Sequence, residues 1–467
     1  MRKIIIISIL AGLLASCSTW VDDLNDNPNS PTTATYQYIL TGAEVGNILL
    51  HSGETARKAG LFCGYLTGLD RSHLNYWQYN FSTSSFNSEW NNVYVDVLAN
   101  VIAAMDEAEA EEIGGITIGI LQTLKAMALG HAAAVWGDIP FDDGGMTEIA
   151  NPEFEDQLTV YGKIQTLLDE ALTNLSSGSG RPASGSEVYL DGDPDAWMEV
   201  VNTLKARFYM HTKEYEQAYN AALTGISSPD NSLMGPHGDA LDNSNLYYQF
   251  FALGVRQTDI VVSDFISAMV SPDSATYRGN AKTNEAGRFN YLFELTGNGL
   301  QPNLTDGFAA QDAPAPLVTY QENLLILAEA GARSQDFATG LTHLNEYRVF
   351  LAAGGYMVNA DLANVQYDVY EAADFETGGM ENADGLSTDN ALLREILEER
   401  YVTFFGLIEG FNDMRRTQNE DQVRVPVQPN VGNQLPQRFL YPASEIDRNE
   451  NIPEVIPDAF TPTTVNQ

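Results

Sequence analysis

The sequence contains few cysteines and few cations, and both shortages limit what the protein can be. Only Cys17 and Cys63 occur among 467 residues, which excludes a framework of several disulfides and leaves stability to a packed core. Lysine and arginine number 24 against 63 aspartates and glutamates, a formal net charge of −39. Because such a surface repels phosphate groups, neither nucleic acid nor an anionic lipid surface is an expected partner.

The common catalytic and metal-binding motifs are also missing. No histidine pair has H-x-x-x-H or H-E-x-x-H spacing, and no P-loop, G-x-S-x-G or G-x-G-x-x-G motif occurs. The acidic run 191–195 has calcium-loop spacing, but Ala196 and Asn202 stand where an EF-hand needs Gly and Glu. Asp193 and Pro194 fit a helix start better. The sequence therefore predicts no metal site and no cofactor.

The only long apolar run lies at the N-terminus. Residues 4–14 follow two cations and precede Leu-Ala-Ser-Cys17, the arrangement of a cleaved secretory signal. This tetrapeptide resembles the bacterial lipobox, which implies cleavage before Cys17 and attachment of lipid to it, with no other membrane contact. We predict a signal peptide over 1–16, a lipidated flexible tether over 17–35 and one α-helical domain over 36–467. The alternative is an unmodified cysteine behind a plain signal.

Apolar residues recur at helical spacing through much of the remaining chain. Residues 116–136 are rich in alanine and glycine, so two helices can approach closely there. Residues 390–414 show one apolar stripe and predict a long helix. Between these, 235–316 and 354–389 are rich in loop-forming residues and predict long insertions.

Two segments match the 34-residue tetratricopeptide pattern. Ala206, Tyr215 and Ala218 occupy its small, aromatic and alanine positions, and the segment 321–351 repeats the pattern with Gly340 in the alanine position. The sequence therefore predicts an all-α fold of tetratricopeptide-like helical pairs with long loop-rich insertions. Cys63, in the apolar stretch GLFCGYLTG, is expected to be a small buried residue.

The charged residues of the predicted helix 390–414 do not indicate catalysis. General acid–base chemistry needs two carboxylates that face one bound substrate. Here Glu398, Glu399 and Asp413 alternate with arginines such as Arg400. Ion pairs within this helix, or charges on its solvated face, are the expected roles.

The segment RSHLNYWQYNF, residues 71–81, is a candidate ligand-binding site. A sugar presents an apolar C–H face and a rim of hydroxyls, so its site needs aromatic rings beside hydrogen-bonding side chains. The segment offers both on a predicted loop, and the candidates are Arg71, Asn75, Tyr76, Trp77 and Tyr79. The alternative is that Trp77 or Tyr79 completes the core. Trp90, Trp136 and Trp197 are expected to be packing residues.

Five ordered motifs resemble the SusD/RagB family of Bacteroidetes outer-membrane lipoproteins. The lipobox is followed by WNNVYVDVLANV, WGDIPFDD, YQENLLILAEAGA, ILEERYVTFFGLIEGFNDMRR and RFLYPASEIDRNENI. In the fourth of these segments Thr403 stands where the family usually has Glu, and Asn412 where it usually has Arg. These differences affect assignment to a subfamily more than membership of the family.

The resemblance implies a fold, a location and a function. It implies four tetratricopeptide-like pairs and a lipid-anchored protein on the outer membrane, facing the cell exterior. Such a protein is not an enzyme: it binds oligosaccharide and delivers it to a SusC-like TonB-dependent transporter. Matching positions imply that Arg71, Asn75 and Trp77 contact ligand, with Tyr247, Tyr248 and Arg256 of the insertion as a second group. The alternatives are a peptide-binding member of the family, a secreted hydrolase on a helical scaffold, and an interaction module without a small ligand.

Overall fold

The computed structural model describes residues 35–146 and 148–467, so Cys17 and the predicted signal and tether boundaries lie outside the described residues. Within this part of the chain, helices form most of the regular structure. The helices are α1 Tyr36–Ser52, α2 Glu54–Phe62, α3 Arg71–Trp77, α4 Asn87–Asn91, α5 Asn100–Ala110, α6 Gly115–Trp136, α7 Gln157–Leu175, α8 Pro194–His211, α9 Tyr215–Ala222, α10 Leu246–Ala252, α11 Asp264–Val270, α12 Ala286–Leu292, α13 Tyr320–Ser334, α14 Phe337–Ala352, α15 Thr388–Thr403, α16 Glu409–Arg416 and α17 Ala443–Arg448. A π-helical segment, Asn92–Ala99, joins α4 to α5.

Eight short strands occur within the described residues, and three of their four pairings connect segments that are distant in sequence. They are β1 Leu66–Gly68, β2 Leu233–Gly235, β3 Ile260–Val262, β4 Thr283–Asn284, β5 Phe293–Thr296, β6 Gly299–Pro302, β7 Ala315–Val318 and β8 Gln366–Tyr367. They form two-stranded antiparallel sheets, β1–β3, β2–β7, β4–β8 and β5–β6. The pairing of Thr67 with Val261 places the segment after β1 beside the segment before β3.

Among the described residues, four helical pairs form the scaffold, the number that the family resemblance implies: α6 with α7, α8 with α9, α13 with α14, and α15 with α16. The repeat positions behave as the pattern requires, because Ala206, Ala218 and Ala328 are fully buried. Asp193 accepts hydrogen bonds from the first backbone N–H groups of α8, and Pro194 is the first helical residue, which confirms the predicted helix start.

Small residues allow close helix packing at α6. A Cβ atom added to Gly130 would lie 2.2 Å from Cζ of Phe208 on α8, so only glycine fits at this contact. By length and composition α6 would suit a membrane span, but 89% of its apolar window is buried inside the protein, as in a core helix. Trp90, Trp136, Trp197 and Cys63 are likewise buried, which confirms their predicted packing roles.

The predicted continuous helix over 390–414 is wrong. The chain leaves helical geometry after Thr403, passes through Gly406 at φ +82°, and resumes as α16 at Glu409. The left-handed conformation favours glycine, and a Cβ atom here would lie 2.2 Å from Cζ of Phe308. The apolar stripe continues across this break because Phe405 and Phe411 both enter the core. Periodicity alone therefore could not reveal the interruption.

Buried ion pairs join the helical pairs to one another. Glu329 of α13 is fully buried and accepts hydrogen bonds from Arg416 of α16 at 2.5 and 2.6 Å. Arg400 of α15 lies 3.1 Å from the same carboxylate and 2.7 Å from Asp413. The cluster of Glu329, Arg333, Arg400, Asp413 and Arg416 therefore links three helices, and it confirms that Asp413 has an ion-pairing role.

Two further clusters connect other parts of the scaffold. In the first, Arg207 of α8 forms a bidentate pair with Glu322 of α13 at 2.6 Å for both contacts. In the second, Arg288 of α12 pairs with Glu399 of α15 at 2.8 Å, and both side chains are fully buried. The second cluster anchors the long insertion to the last helical pair. Glu399 therefore pairs with an arginine of another segment and is buried, neither within its own helix nor on a solvated face as predicted.

Neighbouring arginines determine whether the buried Glu329 carboxylate is ionised. Burial alone would raise the pKa of Glu329, but the Arg416, Arg333 and Arg400 guanidinium groups outweigh it and hold that pKa well below its usual range. A carboxylate whose pKa is lower in the folded state stabilises the fold above its unfolded pKa of about 4.5 and loses that contribution as the pH falls. The cluster therefore stabilises the protein at neutral pH.

We predict that Glu329→Gln lowers the free energy of unfolding by about 3–5 kcal/mol at pH 7, because it leaves buried arginines without a countercharge. Denaturant titration followed by circular dichroism measures this change. Glu346→Gln is the matched control, since the Glu346 side chain is 51% exposed, and its effect should stay within about 0.5 kcal/mol. A loss below about 1 kcal/mol for Glu329→Gln would contradict the assigned role.

Candidate functional site

The segment 71–79 forms a short helix and not the predicted loop. Asp70 caps α3 by accepting a hydrogen bond from the backbone N–H of Arg71 at 2.8 Å. Arg71 and Tyr79, which flank the helix interior, have φ angles of +53° and +58°. Residues other than glycine rarely adopt this left-handed backbone conformation, and backbone strain of this kind is concentrated at functional sites in proteins. The helix was missed because seven residues are too few to show helical periodicity, and the residues that follow, 80–85, are mostly serine, threonine and asparagine.

Asn430 holds the C-terminal end of this segment in place. Its side-chain amide donates to the backbone carbonyls of Leu61 and Trp77 at 2.8 and 3.1 Å, and its backbone N–H donates to the Tyr79 hydroxyl at 2.9 Å. Burial raises the pKa of Tyr79 to about 12, so its hydroxyl stays protonated. Trp77 and Tyr79 are both partly buried against the main core, so each has a packing role.

The predicted aromatic residues differ in how accessible they are. Tyr76 is 8% exposed, and its ring lies 4.7 Å from the Lys58 ammonium group. Tyr247 is 2% exposed, stacks on Phe251 and donates to the Gly406 carbonyl at 3.1 Å. Because its ring and hydroxyl are both enclosed, Tyr247 belongs to the core in this structure, which corrects its expected place in a ligand surface. Tyr248 remains partly exposed.

Arg71 joins the two predicted groups of ligand residues. Both terminal nitrogens of its guanidinium group donate to the Val255 carbonyl at 2.6 Å, and Nη2 lies 3.3 Å from the buried Asp259 carboxylate. Arg256 reaches the same carboxylate at 3.2 Å. The Arg71 and Arg256 side chains are 42% and 41% exposed, so each presents hydrogen-bond donors to solvent from a fixed position. Asn75 is exposed on the same short helix.

His73 lies behind this pair of arginines. Its Nδ1 is 3.7 Å from Asp259, and burial together with nearby Arg57 lowers the pKa of His73 to about 4. The ring is therefore neutral at neutral pH. The charge of Asp259 is consequently balanced by Arg71 and Arg256, which fixes the position of both guanidinium groups.

A polar groove borders the other side of the segment and was not predicted from the sequence. It consists of two adjoining cavities of about 460 and 260 Å³ that share Asn433, Gln434 and Phe460. We call it the amide groove. Its polar and aromatic lining residues are Gln78, Tyr79, Gln418, Arg424, Gln428, Asn433, Gln434, Gln437 and Phe460, and apolar residues such as Val425, Val427 and Leu435 complete the lining. No carboxylate occurs among its described lining residues. The amide-rich run 428–437 was the signal that sequence reasoning overlooked.

The groove presents side-chain amides and aromatic surface together. Gln437 is 6% exposed, and its Oε1 finds no hydrogen-bond donor within the described ranges. Phe460 and Tyr79 meet edge to face with ring centroids 5.9 Å apart. Side-chain amides both donate and accept, as sugar hydroxyls do.

The fold and the groove together define a helical-repeat protein whose inserted and C-terminal segments form its candidate binding surfaces. Residues 28–442 match the SusD-like family described as "Starch-binding associating with outer membrane". The chain therefore belongs to the SusD-like family. Among curated proteins, no sequence matches this chain.

Solved structures share this fold at low sequence identity. A SusD/RagB family protein of Bacteroides thetaiotaomicron superimposes with a TM-score of 0.67 at 19% identity, covering 90% of this chain and 95% of that one. A SusD homologue of Bacteroides fragilis gives 0.66 at 17% identity, covering 93% and 100%. A protein described as chitin-binding also gives a TM-score of 0.66 at 17% identity, covering 93% of this chain and 100% of that one. These similarities confirm the predicted all-α repeat fold.

Proposed function

We propose that this protein binds a neutral oligosaccharide in the amide groove and delivers it to a SusC-like TonB-dependent transporter. The observation that supports this most strongly is the combination of neutral amides with the Phe460 and Tyr79 rings in one groove. Amides match the hydroxyl rim of a sugar, and the rings match its apolar face. Arg71 and Asn75 on the other side of the segment 71–79, with Arg256 beside Arg71, present further exposed donors.

The charge of the protein supports a neutral ligand over an acidic one. A formal net charge of −39 repels uronic acids and sulfated sugars at long range, and Arg424 is the one cationic side chain among the described lining residues. Starch and chitin, named in the descriptions of the family and of one structural relative, are both neutral polymers. The ligand proposed here is likewise an uncharged sugar chain.

The site chemistry supports binding without catalysis. Glycoside hydrolysis uses two carboxyl groups that flank the scissile bond. The amide groove has no carboxylate among its described lining residues, whereas Glu399 and Asp413 are buried in ion pairs. A secreted hydrolase would need such a pair at the ligand surface.

We predict that Phe460→Ala weakens oligosaccharide binding at least tenfold, because the ligand loses an aromatic face. Calorimetry against malto-oligosaccharides, chito-oligosaccharides and neutral tripeptides measures this effect. Tyr38→Ala is the matched control, since Tyr38 is 77% exposed on α1 and should not alter affinity.

Three outcomes would contradict the proposal. They are unchanged affinity in Phe460→Ala, binding of tripeptides without binding of any glycan, and release of reducing sugar from a bound oligosaccharide by the purified protein. The third outcome would favour the hydrolase.

The proposed location is the outer surface of the outer membrane, with lipid on Cys17 as the anchor. The family description associates its members with the outer membrane, and the Leu-Ala-Ser-Cys17 sequence supports the lipid. Several acyl chains would give stable attachment without a membrane-spanning segment.

We predict that Cys17→Ala abolishes retention at the cell surface, because the anchor is lost, and leaves oligosaccharide affinity unchanged. Cell fractionation and surface labelling measure retention, with Cys63→Ser as a control for loss of a thiol. Unchanged retention of Cys17→Ala would contradict the lipid assignment.

A further inference from the structure

A second cavity, of about 360 Å³, differs from the amide groove in position and chemistry. It lies between the segment 305–316, the start of α13, the loop 356–359 and the break between α15 and α16. The two sites have no described lining residue in common. A volume of this size accommodates a small organic ligand.

The break after α15 creates one wall of this cavity. Gly406, in the left-handed conformation, turns the chain so that Phe404, Phe405 and Leu407 all line it. Thr403, which replaces the glutamate usual in the family motif, also lines it and hydrogen-bonds to the Tyr347 hydroxyl at 2.6 Å. A threonine here is smaller than glutamate and uncharged. The cavity wall is consequently apolar at this point.

Aromatic rings dominate the lining. Tyr291, Phe308, Tyr356, Phe404 and Phe405 surround the space, and the Tyr291 and Tyr356 rings meet edge to face at 5.9 Å. These five rings give the cavity a largely aromatic wall.

The charged groups at the cavity are of one sign. Asp306 and Asp312 are exposed at its mouth, and its described lining residues include neither lysine nor arginine. Carboxylates and aromatic faces both attract a cation, and an apolar interior accepts an apolar body.

We propose that this cavity is a second binding site, which takes a small primary amine with an aromatic body. The ring of the ligand packs among the Phe308, Phe404 and Phe405 side chains. Its ammonium group faces the Asp306 and Asp312 carboxylates at the mouth. This site operates independently of oligosaccharide binding in the amide groove.

Calorimetry with three probes that share a phenylethyl body tests the proposal on the purified full-length protein. The probes are 2-phenylethylamine, the neutral 2-phenylethanol and the anionic 3-phenylpropanoate. Saturable binding of the amine is expected, with the alcohol at least tenfold weaker and no binding of the anion. No saturable binding of the amine, or equal affinity for the alcohol, would overturn the proposal.

Two substitutions with matched controls locate the site. Ala310→Phe fills the cavity and is expected to weaken amine binding at least tenfold, whereas Ala183→Phe, in an exposed turn elsewhere, should not. Asp312→Asn should weaken it about fivefold and exposed Asp273→Asn should have no effect. Circular dichroism checks that each variant is folded. Amine binding unaffected by Ala310→Phe, or equally affected by both aspartate changes, would overturn the assignment.

Discussion

The pairing of buried arginines with buried carboxylates is the constraint on which the rest of this structure depends. Glu329 contacts arginines from both helices of the last pair, and Arg288 links the long insertion to Glu399. Each charge is buried at a cost of several kcal/mol that only its partner offsets. The helices can therefore pack in few other arrangements, because a shifted helix would leave a buried charge unpaired.

This fixed scaffold explains how segments far apart in sequence form binding surfaces. The pairing of β1 with β3 places Arg71 beside Val255 and Asp259, and Asn430 connects the C-terminal segment to Trp77 and Tyr79. The helical pairs contribute few of the residues that line the amide groove. Those residues come from segments that no repeat pattern restricts, so ligand preference can change without altering the ion-paired core.

The sequence predicted the scaffold well because helical pairs depend on local periodicity and on small residues at fixed positions. Ala206, Ala218 and Ala328 are buried where the repeat pattern places them. The break at Gly406 was missed because the apolar stripe continues across it. Periodicity records which residues are buried, whereas the left-handed turn depends on a tertiary contact with Phe308.

The candidate site was less predictable, because exposure of a loop aromatic is decided by neighbours distant in sequence. Tyr247 and Tyr248 are adjacent and chemically identical, yet only Tyr247 is enclosed by Phe251 and Phe308. The amide groove was missed because glutamine and asparagine in a proline-rich segment resemble an ordinary surface loop. Only the folded chain shows that Gln437 is buried with an unpaired oxygen.

The central claim is that an ion-paired scaffold holds peripheral segments, and that these segments contact the ligand. Hydrogen–deuterium exchange, measured with and without a bound neutral oligosaccharide, tests this claim most directly. The account predicts slower exchange within residues 71–79 and 424–437 and unchanged exchange in α13, α15 and α16. Slower exchange concentrated in those helices, with none in the two segments, would contradict it.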